Sequence, residues 1–272
     1  MAFKIGFTAA KSDDAPETNS YFKTNETTTP RRSVVQVYFA ERHMTLAYYN
    51  DQFDLQCGDI VYVDGKLEGM QGRITDVNYN FKIKLSDYKR VIAVADTTVH
   101  GKFYIAGSRF LTFERNAIPY GKVLSWFKAP QHSADEFVSG YDKRHAFPLS
   151  NIEKMKISAA AAERGYDYYF DNRVKYISLD GNRGYAIIEG REYYEVEFSY
   201  EDGNISGLVC TCFCGCSCKH EFAVMLQLRE ILELIQKDHN GKYEREGYFA
   251  AITKDDLFEF AVNGKKNGEF TI

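Results

Sequence analysis

Five cysteines alternate along one short stretch, Cys210, Cys212, Cys214, Cys216 and Cys218, and His220 continues the series. Neighbours this close cannot all pair as disulfides within one extended segment, so the spacing favours metal binding. Zinc takes four nitrogen or sulfur ligands in a tetrahedron. Side chains at i and i+2 of an extended chain point to the same side. Cys210-Thr211-Cys212 and Cys218-Lys219-His220 can therefore each present two ligands. The residues between them, Phe213 to Ser217, can turn the chain so that the two pairs face each other. The expected site is Cys210, Cys212, Cys218 and His220, which would clamp a strand to a helix. The set Cys212, Cys214, Cys218 and His220 stays open as an alternative.

The flanks carry regular patterns. Tyr194, Val196, Phe198 and Tyr200 alternate with Glu195, Glu197, Ser199 and Glu201, the mark of a half-buried strand. Arg173–Leu179 and Tyr185–Glu189 read as two further strands around the turn Asp180-Gly181-Asn182-Arg183-Gly184. After the cysteines, Val224, Leu228, Ile231, Leu232 and Ile235 form one apolar stripe, so a helix is expected over about 219–237. Ile152 to Ala162 reads as a short helix with Gly165 as its stop. Asp255 to Phe260 reads as another, capped by Thr253.

Cys-x-Cys, a spacer and Cys-x-His together resemble the SWIM zinc finger. The strand Tyr194-Glu195-Val196-Glu197-Phe198 and the helix start Cys218-Lys219-His220 with Ala223-Val224-Met225-Leu226 fit that family's pattern. Arg164-Gly165, Tyr168-Tyr169, Arg173-Val174 and Gly190 resemble its lead-in, so the likeness spans about 163–230. The spacer is short, and Cys214 and Cys216 inside it are extra to the pattern. The resemblance implies zinc on Cys210, Cys212, Cys218 and His220. It also implies a module that binds nucleic acid or protein, in some families beside a helicase-like ATPase. Loss of the metal is expected to unfold about 190–237 and to spare the N-terminal half.

That half reads differently. Val34–Phe39, Thr45–Tyr49, Ile60–Val63 and shorter runs at 79–85 and 90–95 are β runs separated by turn signals, which suggests a small barrel. Gly58-Asp59-Ile60-Val61-Tyr62-Val63, then Gly65, Gly69 and Gly72, then a new strand, resembles a KOW-type SH3-like barrel over about 58–77. Its loop carries Asp64, Lys66 and Glu68 and lacks the basic character of RNA-binding KOW motifs. Further on, Lys102, Arg109, Arg115, Lys122 and Lys128 face a single acid, Glu114, over 99–128. Among them stand Phe103, Tyr104, Phe110, Phe113, Tyr120, Trp126 and Phe127. Cations attract phosphates and aromatic faces stack on bases, so Lys102, Arg109, Arg115, Lys122, Trp126 and Lys128 are nucleic-acid candidates. Core aromatics and solvated cations on alternating strands would give the same list.

The chain of 272 residues has a net charge of −4 and 15% aromatic residues, which excludes a uniformly basic nucleic-acid carpet and favours strands. Acids outnumber Lys and Arg over 157–239, which tilts the zinc module towards protein contact. No P-loop, Gly-x-Ser-x-Gly or His-Glu-x-x-His motif occurs. Neither a spanning segment nor a signal peptide is expected, which points to the cytoplasm and to reduced thiols. His132 and His145, each with one Asp three residues away, are too little to define a metal site.

The expected architecture is α+β, mostly β. It comprises a flexible arm over 1–33, a small β-barrel-like domain over 34–128, a linker over 129–150, a SWIM-type zinc module of β meander and helix over 151–240, and a tail over 241–272. The expected function is a non-catalytic zinc-binding adaptor in a DNA- or RNA-associated assembly, acting on a protein partner, a nucleic acid, or both, without membrane or small-molecule substrate. A purely protein-binding regulator is the alternative, followed by a zinc hydrolase or thiol redox sensor.

Overall fold

In a computed structural model, which describes residues 30–130, 145–212 and 214–263, the chain forms two antiparallel sheets. Most of the expected arm, the centre of the expected linker with His132, and the end of the expected tail lie outside the described residues.

The first sheet has the order β2-β1-β4-β3-β5. Its strands are β1 (Ser33–Phe39), β2 (Met44–Asn50), β3 (Ile60–Val63), β4 (Gln71–Asn78) and β5 (Val91–Val94). Val35, Val37 and Phe39 alternate inwards along β1 and meet Val61, Val63, Ile74 and Val94 in one apolar cluster. The two edge strands approach at a single parallel bridge, Tyr49 to Arg90, where the Tyr49 N–H donates to the Lys89 carbonyl at 2.8 Å. The short strands expected of a barrel are present, but its edges meet at that point rather than along a ladder. The run 79–85 is not a strand.

The second sheet has eight strands in the order β6-β7-β13-β9-β10-β11-β12-β8. They are β6 (Phe103–Ala106), β7 (Phe110–Phe113), β8 (Phe147–Pro148), β9 (Val174–Asp180), β10 (Arg183–Glu189), β11 (Tyr193–Glu201), β12 (Asn204–Cys210) and β13 (Tyr248–Thr253). The expected meander is β9 to β12. One face of the sheet carries Ile177, Leu179, Ala186, Ile188, Phe249 and Ala251, packed with Phe222, Met225, Leu228 and Ile231 of helix α3 (Lys219–Glu246). The other carries Tyr176, Ile187, Tyr248, Ala250 and Ile252 against Val123, Trp126 and Phe127 of helix α1 (Tyr120–Phe127). Each large apolar side chain fully buried in this way contributes about 1.5–3 kcal/mol.

Four boundaries differ from expectation. Strands β6 and β7 pair in the second sheet, through the β7–β13 ladder, and not with the barrel-like strands. The cause is apolar: Phe103, Leu111 and Phe113 share their core with Tyr248 and Ile252. Tyr248–Thr253, expected as tail, is a central strand buried at every position. Helix α2 runs Ala159–Phe170, with the Ser158 hydroxyl accepting from the Ala161 N–H, and passes through Gly165. That glycine is a close approach and not a stop, since a Cβ there would lie 2.7 Å from Phe222 Cδ1 on α3. Helix α4 (Lys254–Leu257) starts at Thr253 as expected. Helix α3 continues past its expected end and kinks at His239, whose Nε2 donates to the Ile105 carbonyl at 3.0 Å. Among the described residues no helix is long and apolar enough to cross a membrane.

Candidate metal centre

The β11–β12 hairpin delivers the first two ligands. Cys210 ends β12 opposite Val196. The next residue is tied back twice to β11: the Thr211 N–H donates to the Glu195 carbonyl at 3.0 Å, and the Glu195 N–H donates to Thr211 Oγ1 at 2.9 Å. The chain then turns and enters α3 at Cys218. Here the Cys218 N–H donates to Glu221 Oε2 at 3.0 Å and the Glu221 N–H donates to Cys218 Sγ at 3.4 Å. This is a capping box with a thiol in the place of the usual hydroxyl. It fixes the first turn of α3, and with it His220.

The Sγ atoms of Cys210, Cys212 and Cys218 and a ring nitrogen of His220 all lie within 4.8 Å of one another. Bond lengths of ~2.3 Å to sulfur and ~2.0–2.1 Å to nitrogen in a tetrahedron put ligand atoms roughly 3.4–3.8 Å apart. Cys210 Sγ and His220 Nδ1, at 3.7 Å, already meet that spacing. Cys218 and His220 are buried, and Cys210 and Cys212 partly so. The alternative set is not assembled: Cys214 is exposed, touches only the rim of the cluster at Cys212, 3.2 Å away, and is not among the converging side chains.

His220 is held by rings on both sides. Tyr194 stacks on it with centroids 4.4 Å apart, and Tyr168 of α2 meets it edge-on at 5.3 Å. Its Nε2 is buried and without a hydrogen-bond partner among the described residues. Gly190 leaves room for this packing, as a Cβ there would lie 2.7 Å from Tyr194 Cε2 and 3.2 Å from His220 Nε2. Sequence reasoning named Tyr168 and Gly190 only as part of a family pattern, read Tyr194 as a strand residue of that pattern, and missed Glu221 altogether. The spacing Cys218-x-x-Glu221 carries that last signal, once cysteine is admitted as a cap.

Without a cation the three sulfurs compete for negative charge. The hydrogen bond with Cys210 draws the Cys218 thiol down to about 4. The same bond, then burial, pushes Cys210 far up. Burial, then the contact with Cys214, pushes Cys212 up to about 12. Glu221 is raised to about 8 by burial and then by the Cys218 thiolate beside it. Such a cluster holds one thiolate comfortably and not three. A bound divalent cation reverses the balance, because a coordinating thiol is deprotonated outright. The donor set and its geometry fit a dication that prefers sulfur and imidazole.

The basic and aromatic segment is organised otherwise. Trp126 is wholly buried and its Nε1 donates to the Asp96 carbonyl at 2.8 Å, which removes it as a stacking surface. Phe103, Phe110, Phe113 and Phe127 are buried too. Lys122 is buried in an ion pair with Asp96 at 2.8 Å, and Lys128 pairs with Glu195 at 2.5 Å. Arg115 pairs with Asp180 at 2.7 Å and lies over the Tyr248 ring. Arg109 is half-buried over Phe110, and Lys102 is exposed. These cations do not form one open face.

Comparison of the chain with protein-family models, with curated proteins and with solved structures gives no match in any of the three.

Proposed function

We propose that the protein is a non-catalytic adaptor in which Cys210, Cys212, Cys218 and His220 hold one structural zinc ion in a SWIM-type module that docks a protein partner. The observation that carries this reading is the convergence of three sulfurs and one imidazole nitrogen within 4.8 Å, from the end of a hairpin and the start of a helix. Zinc is the metal that best suits three thiolates and an imidazole in a tetrahedral site. Four protein ligands leave no position open for a water or a substrate, which favours a structural role. The Cys-x-Cys and Cys-x-His pairs with their flanking strand and helix support the SWIM reading.

A protein partner is favoured over nucleic acid by the fate of the middle segment. Trp126 is inside, and Lys122, Lys128 and Arg115 are each matched by an acid. The partner belongs to a DNA- or RNA-associated assembly by the SWIM reading, a separate helicase-like ATPase being one such protein. Elemental analysis and a salt titration test both halves of the proposal. The purified chain should contain one zinc, and its affinity for single-stranded DNA and RNA should match that for an anionic control polymer. Zinc-free protein overturns the metal reading. A steep loss of nucleic-acid affinity with salt, at about −0.7 per phosphate contact on single strands, overturns the protein-only reading.

A further inference from the structure

We infer that Cys214 is an oxidation site through which a peroxide unloads the metal centre, by forming a disulfide with the ligand Cys212. This rests on the zinc reading above and adds its regulation. A tetrahedral Cys₃His site needs three thiols, and this segment holds five. The two extra ones, Cys214 and Cys216, are exposed, whereas Cys218 is buried. Cys214 is not idle: its Sγ lies 3.2 Å from that of Cys212, an exposed contact at the edge of the cluster. Gly215 follows in a left-handed conformation, φ +65°, and a Cβ built there would meet no described atom within 4 Å. Cys212 itself is only partly buried, and its sulfur, the one that must attack, already lies against that of the exposed Cys214.

The chemistry balances with a hydroperoxide as the oxidant. The Cys214 thiolate attacks one peroxide oxygen; an S–O bond forms, the O–O bond breaks, and the sulfur gives up two electrons. With hydrogen peroxide the leaving hydroxide takes a proton and departs as water. The Cys212 thiolate then leaves the metal and attacks the Cys214 sulfenic sulfur. An S–S bond forms, the S–O bond breaks, and the second oxygen leaves as water. Two thiols and one peroxide give one disulfide and two waters. Attack by a neighbouring thiolate on a sulfenic acid is the ordinary route to a reversible disulfide. The metal is left with Cys210, Cys218 and His220, since a disulfide sulfur is no longer a thiolate ligand. A dithiol reductant restores the fourth.

The test uses the full-length, reduced protein and hydrogen peroxide. Zinc content is measured first, release is followed with a chromogenic chelator, and disulfides are mapped by peptide mass spectrometry after alkylation. Wild type should lose its zinc and acquire a Cys212–Cys214 linkage, and dithiothreitol should restore zinc uptake. Cys214→Ser should keep its zinc at the dose that empties wild type, while Cys216→Ser should behave as wild type. Equal release from Cys214→Ser, or a map that joins Cys216 to Cys212 instead, overturns the inference. If the reduced protein holds no zinc, the metal reading fails separately. The Cys212–Cys214 linkage, present or absent on the map, then still decides the oxidation site.

Discussion

The turn that links β12 to α3 and the segment from β6 to α1 both extend from strands of one sheet, yet they are built of opposite materials. The turn brings four polar ligand atoms to one point, two from each of its flanks. The β6–α1 segment buries Phe103, Phe113, Trp126 and Phe127, and Lys122 and Lys128 in and just after its helix close on acids. On the proposed zinc reading, one is organised by coordination and the other by exclusion of water. The difference teaches where each can be broken. Helix α3 sits on a large apolar cluster built with the sheet rather than with the ligand atoms, so removing a bound ion should loosen the turn and the first turn of α3 and leave the sheet intact. That is narrower than unfolding of 190–237, the outcome expected from the sequence.

The largest effect should come from Cys218→Ala. It removes a ligand and the helix cap together, so zinc binding should be lost and hydrogen exchange should rise sharply over 210–222. Exchange that rises equally across β9 to β12 would show that the metal holds the whole meander. Trp126→Ala is the opposite experiment. It should cost about 3–5 kcal/mol in chemical denaturation, as large aromatic truncations in cores do, with zinc content unchanged. Zinc loss in that variant would erase the distinction between the two regions.

Glu195 is where the regions touch. Its carboxylate accepts from Lys128 and from the Tyr120 hydroxyl, while its backbone holds Thr211 beside Cys210. Lys128→Met leaves that mostly buried carboxylate without its cation and should cost about 1–3 kcal/mol. A chelator competition shows whether the loss reaches the metal: unchanged zinc affinity keeps the regions independent, and a weaker site makes Glu195 a coupling point.

The smallest effect concerns acid. Burial raises the Asp96 carboxyl, but the hydrogen bond and charge of Lys122, together with hydrogen bonds from Thr98, outweigh it and hold the group below the usual carboxylate range. A folded-state value below the unfolded one gives stability that is present above the unfolded value of about 3.9 and lost as pH falls through the folded value. Lys122→Met should therefore flatten the acid limb of the stability curve below about pH 4 and leave the neutral limb parallel to wild type. An acid limb identical to wild type would place the stabilising effect elsewhere.

Ligand spacing was legible because coordination constrains it: an i, i+2 pair on each side of a short turn leaves few ways to build a tetrahedron. The meander β9 to β12 was legible from its alternation, and the Thr253 cap from its residue type. Strand β13 was not, because Tyr248–Thr253 is buried on both faces and shows no period of two. For the same reason β6 and β7 could not be assigned to their sheet: their partner was the strand that went unread. Trp126 and its neighbouring cations were ambiguous in principle, since a buried aromatic with ion-paired lysines and an open stacking platform have the same composition. Only the position of Asp96 and Glu195 separates the two, and both are distant in sequence.

X-ray absorption at the zinc edge on the reduced full-length protein tests the central claim most directly. The account predicts a four-coordinate shell of three sulfurs at ~2.3 Å and one nitrogen at ~2.0–2.1 Å, with the nitrogen lost in His220→Ala. An all-sulfur shell, a shell containing oxygen, or the absence of zinc would contradict it.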